Sequence, residues 1–274
     1  MIVRIPSLGL LMAIVACGGA TTKSVSEKMS DRIIDVQGHR GARGLEPENS
    51  LPAFRRALAI GVTTLELDIG ITADDVVVVA HDPRLNPDFT RNRDGSWIQE
   101  RTPLRQLTRT QLAELDVGRL REGTLYGKRF PEQEPRDGTR IPALTEVVSE
   151  AERISGGTIH YNIETKLEPE EPGLTATPRT MALSLIEVLD QLGVDPARVT
   201  IQSFDWSSLA VVHEVAPKIA TACLTEPETL HIGGRGPWLA GRVIGTREDI
   251  VGVVADFGCR IWSPGFDDLR PEDV

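Results

Sequence analysis

His39, Arg40, Glu66, Asp68 and His81 crowd into one stretch of a 274-residue chain, VQGHRGARGLEPENSLPAFRRALAIGVTTLELDIGITADDVVVVAHD. Together they offer two imidazoles, a guanidinium and two carboxylates. Glu66 and Asp68 stand two apart in the alternating run Thr64-Leu65-Glu66-Leu67-Asp68-Ile69, and the two-residue period of a strand puts both on one face. Paired carboxylates repel unless a positive charge lies between them. A hard divalent cation such as Mg²⁺ or Ca²⁺, which prefers carboxylate oxygen, supplies that charge economically. An unperturbed imidazole titrates near neutral pH, so His39 and His81 can both move protons.

The elements that position these groups follow from pattern. Apolar residues run into Gly38-His39-Arg40-Gly41, which reads as a strand, Ile33 to Gln37, with His39 and Arg40 at its C-terminal end. Leu51, Phe54, Leu58 and Ala59 have amphipathic helical spacing, closed by Gly61. After the Thr64–Ile69 strand, Thr72-Ala73-Asp74-Asp75 is a polar turn and Val76 to Ala80 returns. A tight hairpin with Thr72 opposite Asp75 sets His81 opposite Glu66. Farther on, Thr158 to Lys166 alternates so that Asn162, Glu164 and Lys166 share a face, adding a third carboxylate and a second cation.

HRG, PEN, ELD and HD, in this order and spacing, with NIETK and QSFD behind them, resemble the glycerophosphodiester phosphodiesterase family. The resemblance implies metal-assisted hydrolysis of glycerophosphodiesters to sn-glycerol 3-phosphate and an alcohol such as choline or ethanolamine, within lipid metabolism. It implies that Glu66, Asp68 and Glu164 hold one divalent cation, Ca²⁺ or Mg²⁺. Arg40 and Lys166 would meet the phosphate, and His39 and His81 would be the acid–base pair, with the two roles unassigned. The nucleophile is water or the substrate's own glycerol hydroxyl. Asp82 orients His81; Glu48 anchors its loop; His160, His213 and His231 are structural. A lysophospholipase D-like hydrolase and a non-catalytic surface lipoprotein are the alternatives.

Strands alternating with helices imply parallel βαβ units, and chemistry at successive strand ends implies a (β/α)8 TIM barrel of the α/β class. Six barrel strands are countable: 33–37, 64–69, 159–164, 199–204, 219–224 and 259–262. The family's last strands have no counterpart before Val274, so the barrel is expected to be truncated after the sixth. Residues 83–142, poor in periodicity, read as an insertion after the second strand with one short helix near Thr110 to Leu115. Trp97 and Tyr126 either line the substrate entrance, near which the family carries such an insertion, or pack the insertion onto the barrel, which is the favoured reading.

Met1 to Ala16 has one basic residue and an apolar run too short to span a bilayer, so it reads as a signal peptide. Ile14-Val15-Ala16-Cys17 resembles a lipobox, which implies a lipid anchor on Cys17, a tether over 17–31, a catalytic domain over 32–274, and an exported protein on an outer membrane facing the periplasm. A net charge of −10 argues against nucleic acid as a partner. The small-molecule diester is the expected partner, and a membrane only through the anchor. Cys223 and Cys259, in apolar runs, are expected to be buried free thiols rather than a bridge.

Overall fold

The computed structural model describes residues 3–4, 34–266 and 269. In chain order its strands are β1 (Val3–Arg4), β2 (Gln37–Gly38), β3 (Thr64–Ile71), β4 (Val77–Val79), β5 (His160–Thr165), β6 (Val199–Ser203), β7 (Ala220–Thr225) and β8 (Ile261–Pro264). Six of them, β2-β3-β5-β6-β7-β8, run parallel as successive neighbours. They make the curled half-barrel of a (β/α)8 fold, with the six barrel strands expected. β1 lies antiparallel on β8, with Val3 opposite Trp262. The rest of the expected leader and tether, Cys17 included, lies outside the described residues.

The helices are α1 (Leu51–Ile60), α2 (Arg109–Leu112), α3 (Leu125–Arg129), α4 (Leu144–Ser155), α5 (Pro178–Gln191), α6 (Trp206–Val215), α7 (Pro227–Leu230) and α8 (Ile250–Phe257). α1 starts where the Ser50 hydroxyl accepts from Ala53 N, with proline in its first turn, and stops at Gly61, whose φ of 93° suits a residue without Cβ. It buries Ala53, Phe54 and Ala57, and Phe54 alone is worth about 1.5–3 kcal/mol by area.

Register separates core from site. Partners across a parallel ladder share a face, so Glu66 lies beside Asn162 and Asp68 beside Glu164, with Gln202 next to Glu164. The alternate residues Leu65, Leu67, Ile69, Tyr161, Ile163 and Ile201 face the helices and are fully buried with Leu144, Met181, Leu185 and Trp206. The apolar core therefore sits between sheet and helices, and the inner face is left to polar side chains.

Three expectations are corrected, and one short helix adds to them. The hairpin after β3 pairs Ile71 with Val77 and Ile69 with Val79, which places Thr72 opposite Val76 rather than Asp75. Asp75 takes φ 60°, which lengthens the loop by one residue. His81 therefore lies beyond the ladder, not opposite Glu66. The insertion holds a second helix, α3, and a small core of its own around Leu85, Ile98, Leu104, Leu112 and Ile141. A short α7 follows β7. Cys223 and Cys259 form a disulfide, with Cα atoms 5.9 Å apart; the ladder pairs Cys223 with Trp262, and it is the turn from α8 into β8, where Cys259 N donates to the Val254 carbonyl, that holds the second sulfur within bonding reach.

Candidate active site

The loop from β2 to α1 is built by its glycines. Gly41 has φ 76°, and a Cβ there would lie 2.6 Å from the Ala53 carbonyl carbon, so only glycine lets the loop lie on α1. Arg40 and Asn49 also take positive φ, 54° and 52°. These turns aim the Arg40 amide at Glu66, donating to Oε2 at 2.8 Å, and bring the Asn49 side chain over β3.

Glu66, Asp68 and Glu164, the three expected metal ligands, converge: each offers an oxygen within 4.8 Å of the others, and all three are buried. Burial, then the charges of Asp68 and Glu164, push Glu66 well above the ordinary carboxylate range. Glu164 is raised by burial as well, although Lys166 opposes the shift. Burial would raise Asp68 too, but His81, Lys166 and Arg40 outweigh it and hold that carboxyl down at about 2. Asp68 Oδ1 is buried with no hydrogen-bond partner, a cost that a ligand at this spot would remove. An all-oxygen donor set with one orphaned oxygen fits a hard divalent cation.

The two histidines lie near this trio, His39 beside Glu66 and His81 beside Lys166. His81 Nδ1 meets Asp82 Oδ1 at 2.7 Å, so Asp82 orients the ring as expected; its Nε2 lies 3.1 Å from Lys166 Nζ. Lys166 also donates to Glu164 at 2.7 Å. His39 is more open, with Nε2 3.8 Å from Glu66 Oε2. Local desolvation, then the charges of Arg43 and Arg40, lower its pKa to about 4. The Arg43 guanidinium donates to His39 Nδ1 at 3.1 Å, and a guanidinium has no lone pair to offer. His39 is thereby held with its proton on Nε2.

Arg40 is buried and turned inward, with NH1 2.9 Å from Glu48 Oε1 and Nε 3.3 Å from Asp68 Oδ2. Glu48 is thus an anchor, as expected, and not part of the carboxylate trio.

Residues 39–233 match the model of the glycerophosphoryl diester phosphodiesterase family. The chain belongs to this family. It is 31% identical over 228 residues to a glycerophosphodiester phosphodiesterase of Bacillus subtilis, covering 82% of this chain and 70% of the relative. A crystal structure from Silicibacter pomeroyi, named for the same activity, superposes with TM-score 0.77 at 32% identity, covering 88% of this chain and 77% of that one. An Oleispira antarctica phosphodiesterase in complex with the product sn-glycerol-3-phosphate shares the fold at TM-score 0.55 and 21% identity, over 82% of this chain and 72% of that one. Members of this family are phosphoric diester hydrolases.

Several residues around the family's motif positions escaped sequence reasoning. Asn49 donates to Asp68 Oδ2 at 2.9 Å, and Gln202 donates to Glu66 Oε1 at 3.0 Å while accepting from Asn162. Arg43 and Tyr126 complete the set. Gln202 and Asn162 had a usable signal, since inward register at a strand end puts an amide beside a carboxylate. Tyr126 had none, because its hydroxyl reaches Glu48 across 78 residues.

Proposed function

We propose that this chain hydrolyses glycerophosphodiesters with the aid of one divalent cation, Ca²⁺ or Mg²⁺, releasing sn-glycerol 3-phosphate and an alcohol, as part of glycerophospholipid metabolism. The observation that carries this reading is the buried trio Glu66, Asp68 and Glu164 with His39 beside Glu66 and His81 beside the Lys166 that binds Glu164. The trio would hold the cation, which when bound supplies Lewis-acid charge for a phosphoryl oxygen. The product complex of the Oleispira phosphodiesterase lends support to a small diester as substrate.

The chain's own residues divide the remaining work. Lys166 and Arg40 bring positive charge to the trio's rim, where charge grows on the phosphorus oxygens. His81 has Nδ1 on Asp82 and Nε2 accepting from Lys166, so Nε2 exchanges a proton with the nucleophile or the leaving group once Lys166 turns to the phosphate. His39, with its proton on Nε2, serves the opposite step.

The test is release of sn-glycerol 3-phosphate from glycerophosphocholine with and without added Ca²⁺ or Mg²⁺. His39→Ala and His81→Ala should each lose at least about a hundredfold in kcat. A cation-independent activity, or one that survives both changes, sinks the reading.

For location we propose export and a lipid anchor at Cys17. A disulfide between Cys223 and Cys259 is consistent with an oxidising compartment. Fractionation decides: Cys17→Ala should move the protein from membranes to the soluble fraction.

A further inference from the structure

Tyr126 belongs to α3, inside the insertion, far in sequence from every motif of the site. Its hydroxyl donates to Glu48 Oε2, while Glu48 Oε1 takes Arg40 NH1 at 2.9 Å. Both Glu48 oxygens are thereby used, and Arg40 is set with Nε 3.3 Å from Asp68 Oδ2. Three links connect a surface helix to a buried carboxylate. The phenol is fixed in turn, since the Tyr126 ring packs 5.7 Å from Phe89 and 5.4 Å from Phe130, centroid to centroid.

The same segment grips the rest of the β2–α1 loop. Phe130 lies under the Arg43 guanidinium at 4.7 Å, Gln133 donates to the Arg43 carbonyl at 2.8 Å, and Glu134 N donates to the Leu45 carbonyl at 2.9 Å. Arg136 forks onto Glu46 with two bonds of 2.7 Å. Residues 126–136 thus touch the loop at five points, yet only Tyr126 reaches a group in contact with the Asp68 carboxylate's own partner.

We propose that Tyr126 is a positioning residue for the phosphodiesterase site: through Glu48 it holds the Arg40 guanidinium where the phosphate of the substrate must sit. This rests on the function proposed above. Without the phenol, Glu48 Oε2 is left without its donor and is free to rotate. Arg40 then follows Glu48 or collapses onto Asp68, and in either case the guanidinium is displaced from the diester.

The experiment compares the unaltered chain with Tyr126→Phe, Glu48→Gln and the double variant. It measures kcat and KM for glycerophosphocholine and, by calorimetry, the Kd for sn-glycerol 3-phosphate. Tyr126→Phe should lower kcat/KM about tenfold and weaken product binding about fivefold, with the melting temperature held. The double variant should be no worse than Glu48→Gln alone, because residues in one hydrogen-bonded chain do not add. Leu125→Ser, on the same helix but 82% exposed, should match the unaltered chain. A Tyr126→Phe enzyme within twofold of the unaltered one, losses that add in the double variant, or an equal loss in Leu125→Ser would each overturn the proposal. An unaltered chain that turns over diester while Tyr126→Phe does the same sinks this proposal alone. An unaltered chain with neither turnover nor product binding sinks the function as well.

Discussion

The Asn49 side chain clamps Asp68 from both sides: Nδ2 donates to Asp68 Oδ2 at 2.9 Å, and Oδ1 accepts from the Asp68 backbone N–H at 3.4 Å. The clamp leaves Oδ1 of Asp68 without a hydrogen bond, with Lys166 Nζ 4.0 Å away. Asn49→Gly tests it without straining the backbone, because φ is 52° and glycine accepts that region. Removing a group that orients a ligand typically costs ten- to a hundredfold in metal affinity. Calorimetric titration with Ca²⁺ and Mg²⁺ should show that loss with the fold intact; unchanged affinity would mean that the clamp is ornamental.

Crowding of the trio gives a pH signature. Glu66 and Glu164 are both raised, by burial first and then by their neighbours' charges in the case of Glu66. A carboxylate whose folded pKa exceeds its unfolded value contributes stability that is fully present below the unfolded value. That stability is lost as pH rises through the folded one. In the cation-free chain, therefore, Glu66→Gln, which cannot ionise, should melt at or above the unaltered chain near neutral pH, and the gap should narrow toward pH 4.5, the ordinary value. Cation at a hundredfold over Kd adds about 2.7 kcal/mol to the unaltered chain and should reverse the order. Scanning calorimetry at several pH values, with and without Ca²⁺, reads both effects.

Gly41 makes a steric prediction. Alanine there would be held at φ 76° with its Cβ 2.8 Å from the Ala53 Cβ, so strain of about 1–3 kcal/mol adds to a backbone clash. Urea unfolding of Gly41→Ala should show a loss of at least about 2 kcal/mol. Turnover should fall further than stability accounts for, since His39 and Arg40 hang from the same loop.

The sequence made the trio legible because period-2 alternation is a local property: Glu66 and Asp68 share a face whatever surrounds them, and the 162–166 alternation holds for the same reason. What it hid is non-local or depends on single dihedrals. The hairpin register turned on Asp75 adopting φ 60°, which no pattern announces for an aspartate. Asn49 stands in the PEN motif without a role of its own until its φ of 52° and its bond to Asp68 are seen. Tyr126 packs within the insertion against Phe89 and Phe130, but its hydrogen bond to Glu48 depends on how the insertion folds back. The cysteines failed for a similar reason: apolar surroundings describe a free thiol and a buried bridge equally well, and only the path of the chain from α8 into β8 separates them.

That bridge supports a last prediction. Cys223 lies in β7, flanked by parallel neighbours, and Cys259 stands just before β8, whose one parallel neighbour is β7. The disulfide spans 36 residues, so the chain-entropy estimate gives about 3–4 kcal/mol of stabilisation. The enclosed segment carries α7, α8 and the loop between them, while all the polar groups assigned to chemistry lie upstream. Dithiothreitol, or Cys223→Ala with Cys259→Ala, should therefore lower the unfolding free energy by about that amount while kcat/KM of the surviving folded protein stays within about twofold. Hydrogen exchange should localise the damage, with β8 amides opening first and β3 and β5 amides still protected. Uniform loss of protection across the sheet would show instead that the bridge holds the whole fold.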